Sequence, residues 1–118
     1  MTERTLESGW DALWFDLQHR TEDKDGCRQA YKNGAAIIAA RLQVRGRPAL
    51  LKMIELGEDE ILQACWPLIV RTIDLHEDWG EPQRDATVAG VFAALMLVRL
   101  MEPLVKQVEE FRVNEILN

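Results

Sequence analysis

Apolar positions along this chain recur every three or four residues, the period of a helix with one buried face, and no stretch alternates as a half-buried strand does. Trp10, Leu13, Trp14 and Leu17 form the first such stripe. Ser8-Gly-Trp-Asp11 has the form of a capping box, with Asp11 in place of the usual Glu, and predicts a helix starting at Ser8; Thr5 and Thr2 offer earlier starts. Thr21-Glu-Asp-Lys-Asp25 interrupts the pattern and sets acids where the dipole of a new helix favours them. The second helix is predicted from about Asp25 to Val44. Cys27, Tyr31, Ala35, Ile38 and Leu42 share its apolar face, widened by Ala30, Gly34 and Ile37. Gly34, Ala35, Ala39 and Ala40 are small enough to admit a close neighbour. Gly46 suits the end of this helix, and Pro48 suits the first turn of a short third one that closes at Gly57.

Glu58-Asp-Glu60 opens a fourth helix, in which Ile61, Leu62, Cys65, Leu68, Ile69 and Ile73 keep one phase across Pro67. A proline inside a helix removes one backbone hydrogen bond, so the expectation is one helix kinked at Pro67 rather than two. His76 to Arg84 is the longest polar stretch and reads as a loop. Asp85 is expected to cap a fifth helix, with Val88, Val91, Phe92, Leu95, Val98, Met101, Val105 and Val108 in phase through Pro103. A second kink at Pro103 is expected to tilt the amphipathic tail, Leu104 to Leu117, back across the domain.

The first part of that last helix, Ala86 to Val98, carries no charge. A helix apolar on every side must be covered on nearly every side. It is therefore read as the central helix of a bundle, or as the seam of a homodimer through Val88, Val91, Phe92, Leu95 and Val98, with Gly90, Ala93 and Ala94 permitting close contact. The predicted architecture is all-α: a compact bundle of about five helices in a single domain, residues 1–118, around a central apolar C-terminal helix.

Composition supports that class, since Leu, Ala, Glu, Gln, Arg and Met dominate and 118 residues suffice for a core without staples. The uncharged stretch is too short for the roughly 20 residues of a membrane span, and the N-terminus lacks an apolar signal core. Cys27 and Cys65 lie far apart, outside any metal-binding spacing, and read as buried reduced thiols. A cytoplasmic protein is expected. The net charge of −6 is uneven: residues 1–47 carry eight Lys and Arg against seven acids, and residues 48–84 carry three against eight. Such an acidic middle keeps a small domain soluble and disfavours contact with phosphates.

Candidate chemistry is sparse. Asp74, His76, Glu77 and Asp78 are the densest group of metal-ligand types, but a closed transition-metal site needs more imidazole or thiolate. The magnesium sites of all-α nucleotide hydrolases need carboxylates three or four apart on two facing helices; Glu55 and Glu58 straddle Gly57, and no clear second pair follows. Ser8 is the only serine, neither cysteine has a histidine in a suggestive context, and no glycine-rich phosphate loop is present, so no catalytic residue and no cofactor is implied. Arg41, Arg45 and Arg47, with Lys52, form the one basic cluster and are candidate phosphate contacts. A helix-turn-helix around Gly57 would open its recognition helix on Glu58-Asp-Glu60 and meet a nucleic-acid backbone with negative charge. Trp79, in a polar loop, either folds back onto the core or anchors a partner. The function expected from this pattern is a non-enzymatic protein-interaction module, an acidic helical adaptor, accessory or inhibitor protein of the kind found in phages and mobile elements. It would bind a second copy of itself or another protein. Nucleic-acid binding and metal-dependent nucleotide hydrolysis are the alternatives.

Overall fold

A computed structural model of the protein describes the backbone from Thr2 to Leu117 and the side chains from Leu6 to Arg99. Among these residues the chain forms five helices and no strand: α1 (Thr2–Leu17), α2 (Lys24–Arg45), α3 (Arg47–Leu56), α4 (Glu58–Asp74) and α5 (Glu81–Leu117). The all-α bundle read from periodicity is the observed fold. Helix α5 meets each of the other four helices. Pro67 lies within an unbroken α4, and the single apolar phase across it is kept: Ile61, Cys65 and Ile69 are all buried. The side chains around Pro103 lie outside the described residues.

Helix ends follow local chemistry. Asp23 caps α2, its Oδ1 accepting the Gly26 N–H at 3.0 Å. Gly46 and Gly57 carry positive φ at the α2–α3 and α3–α4 junctions, a backbone region that glycine enters without steric cost. Two expected starts are corrected. Helix α1 begins at Thr2, so Ser8 is an exposed residue inside a helix rather than its cap. Helix α5 begins at Glu81, four residues before Asp85. The Gly80 N–H donates to Gln83 Oε1 at 2.9 Å, the backward half of a capping box, and Pro82 occupies the first turn, where its missing N–H costs nothing. Asp85 instead pairs with Arg20 at 2.9 Å.

Helices α2 and α5 form the spine. They start together, Gln83 donating to Asp23 Oδ2 at 2.9 Å, and end together, Arg47 donating to the Val98 carbonyl at 3.1 Å, so they run parallel. Gly34 of α2 sits against the Thr87 carbonyl, and Gly90 of α5 against the Tyr31 carbonyl. A side chain at either glycine would strike backbone, so this pair of glycines sets how closely the helices approach.

Antiparallel α1 covers the N-terminal half of the spine, the Tyr31 hydroxyl donating to the Leu6 carbonyl at 2.9 Å and Trp10 stacking on Trp14. That half encloses Trp10, Leu17, Cys27, Ala30, Tyr31 and Ala86. The C-terminal half is covered by α3 and α4 around Ile38, Leu50, Ile61, Cys65, Ile69, Val91 and Leu95.

Candidate functional site

The described residues line an open groove of about 640 Å³ between α2 and α4. These helices run antiparallel, because Arg41 of α2 donates to the Ala64 carbonyl of α4 at 2.6 Å while both Asn33 and Leu75 line the groove. Ala36, Ile37, Ala40 and Val44 supply one wall at helical spacing, and Leu68, Thr72 and Leu75 supply the other. Small residues at 36 and 40 hollow the α2 side. Val44 and Leu75 are 81% and 76% exposed, large apolar side chains left in water at the two ends of one groove. Isolated exposed apolar residues are ordinary on protein surfaces; several gathered in a concavity mark a contact surface.

Among the described residues, the charged ones lining the groove are Arg41 and Arg45, and no acidic residue lines it. The groove is thus locally positive on a chain whose net charge is −6. Sequence reading grouped these two arginines with Arg47 as a phosphate-binding cluster. The structure separates the three. Arg41 is bound to the Ala64 carbonyl, three residues before Pro67, in the turn whose hydrogen bonding the proline interrupts. Arg47 is bound to the Val98 carbonyl of α5. The Nε atoms of both are buried and have no hydrogen-bond partner among the described residues. Both guanidinium groups therefore tie helices together, and Arg45 is the exposed member of the three.

The proposed oligomer seam is also redistributed. Val91, Leu95 and Val98 are buried in the chain's own core, while Val88 and Phe92 pack against that core partly exposed. Met96, on the same helix and 59% exposed, is the large apolar residue that α5 shows to solvent among the described residues. Trp79 folds back, stacking on His76 with ring centroids 3.7 Å apart and packing against the N-terminal core cluster.

No three of His, Cys, Asp and Glu come together as a metal site among the described residues. Glu55 and Glu58 lie exposed on either side of Gly57. Cys27 and Cys65 are free and buried. Burial pushes both thiols above their ordinary range; Asp23 adds to this at Cys27, whereas Arg41 pulls the Cys65 thiol the other way. No helix of the described residues is long and apolar enough to cross a membrane.

The groove was missed in the sequence because its walls come from two segments some 30 residues apart. Its signal was present as an excess of apolar residues: Ile37, Val44, Leu68 and Leu75 widen the stripes of α2 and α4 beyond what one core contact uses. Comparison with protein-family models, with curated proteins and with solved structures gives no match for this chain.

Proposed function

We propose that this protein is a non-enzymatic protein-interaction module, a small acidic helical adaptor, accessory or inhibitor protein that acts in the cytoplasm by binding another macromolecule through the α2–α4 groove. The observation that carries the reading is the groove itself: a positive, apolar-walled channel with Val44 and Leu75 exposed at its ends. Its dimensions suit an amphipathic helix, which would lay an apolar stripe between α2 and α4 and set acidic residues beside Arg45. Two buried, unpaired thiols are in keeping with a reducing compartment.

Nucleic-acid binding is the weaker reading. Arg41 and Arg47 already spend hydrogen bonds on backbone carbonyls, which leaves Arg45 as the exposed contact, and one cation adds little phosphate affinity. Affinity capture from the native host with the wild-type chain and with V44D/L75D tests the proposal. A partner retained by the wild type and lost by the groove variant is the expected result. Capture that is indifferent to the groove substitutions refutes it.

A further inference from the structure

We infer that residues 48–78, helices α3 and α4 with the turn after them, form a strap that undocks from the spine as one unit while α1, α2 and α5 stay folded. The inference does not depend on what the groove binds. Each end of the strap is anchored. Arg47, just before its start, donates to the Val98 carbonyl of α5 at 3.1 Å. Trp79, just past its end, stacks on His76 and packs against the N-terminal core cluster. Gly46, at φ 81°, turns the chain out of α2 immediately before the first anchor.

Between the anchors the strap is held by apolar contact. Leu50, Ile61, Cys65 and Ile69 are its buried residues in the C-terminal core. Among the described residues, Arg41 to the Ala64 carbonyl is the one side-chain hydrogen bond between residues 48–78 and the spine, and no ion pair joins them. That bond is exposed to solvent. Leu56, Trp66, Leu68 and Leu75 leave much of their surface in water, so the strap docks with only part of its apolar surface. Units held in this way open at a lower free energy than the whole domain.

The other cover is separate. Among the described residues α1 meets neither α3 nor α4, and the two core clusters share no residue. Undocking one cover therefore breaks no direct contact of the other. The groove takes one wall from α2 of the spine and the other from α4 of the strap, so it exists only while the strap is docked. A molecule seated across it binds the docked state alone and holds the strap down by mass action.

Each core holds one buried thiol, Cys65 on the strap and Cys27 in the cluster that α1 covers. The test is the rate at which a neutral disulfide reagent labels each thiol in the native full-length chain, read by mass spectrometry of its peptides. With reclosing faster than labelling, each rate follows the population of the open form. In the wild type, Cys65 is expected to label faster than the global unfolding equilibrium from urea denaturation permits. I69V, a loss of one methylene that the fold tolerates, should speed Cys65 about two- to tenfold and leave Cys27 unchanged. L17A, on α1, should speed Cys27 at least about thirtyfold and leave Cys65 unchanged. Either substitution speeding both thiols, or wild-type Cys65 labelling only as global unfolding permits, overturns the inference.

Discussion

Replacing Gly90 by alanine should destabilise the protein although it improves a helix. In an ordinary helix interior, Gly→Ala is worth about 1 kcal/mol of added stability. At this position a Cβ would strike the Tyr31 carbonyl oxygen and lie 2.9 Å from the Tyr31 carbonyl carbon and 3.1 Å from the Ala35 nitrogen. All three atoms are backbone of α2, so no rotamer change relieves the contact and the helices must move apart by roughly an ångström. Opening a packed interface by 0.5–1 Å forfeits about a quarter to a half of the dispersion attraction of the atom pairs it separates. With Val91, Leu95 and Ile38 buried along this crossing, the loss is ~2–3 kcal/mol. Overpacking strain of about 1–3 kcal/mol adds to it. After the propensity gain is subtracted, the expected net destabilisation is about 3 kcal/mol. Urea unfolding followed by circular dichroism should show a midpoint lower by ~1.5 M for a slope near 2 kcal/mol per molar, typical of a domain of this size. G34A should behave alike, because its Cβ meets the Thr87 carbonyl. The double variant should lose less than the sum, since one separation relieves both clashes. A midpoint for G90A at or above wild type would refute the close parallel packing of α2 on α5.

Three further outcomes separate the structure from readings of the sequence alone. S8A should leave stability equal or raise it by about 0.5 kcal/mol in the same urea assay, because Ser8 lies exposed within α1; the loss of about 1 kcal/mol typical of a helix cap would restore the later start. R47A should cost about 1–3 kcal/mol of stability through loss of the bond to the Val98 carbonyl, read in the same urea assay, and R41A should cost less because its bond is more exposed; R45A should stay within about 0.5 kcal/mol. Cys27, Cys65 and Tyr31 all have acid–base equilibria pushed upward, first by burial. Each group holds its proton more tightly folded than unfolded. Their contribution is therefore complete below the unfolded thiol range and is lost as pH rises through and above it. Stability measured from pH 7 to 10 should fall at the alkaline end, less steeply in C27A and C65A, and native thiols should react with a disulfide reagent far more slowly than thiols in denaturant.

Periodicity determined most of the fold. The stripes of Trp10–Leu17, Cys27–Ile38 and Ile61–Ile73 each became the buried face of a helix, and the uncharged run from Ala86 lies within α5, the helix that touches the other four. This was legible because a helix's buried face is written in residues three and four apart, within one segment. Helix starts were less legible. Ser8 and Asp85 are good capping residues, but side chains elsewhere outbid them: Gln83 caps Gly80, and Arg20 takes Asp85.

The roles of Arg41, Arg45 and Arg47 were beyond the sequence. Three cations within seven residues look like one patch until the carbonyls of Ala64 and Val98, 23 and 51 positions away, claim two of them. The groove is of the same kind, its walls meeting only because α3 reverses the chain and lets α4 return antiparallel to α2. Sequence by itself specified which residues must leave water, since burial follows each side chain's own solvation and its helical phase. Tertiary structure decided which of them a neighbour covers and which, like Val44 and Leu75, remain uncovered, because coverage depends on contacts between segments that no local pattern encodes.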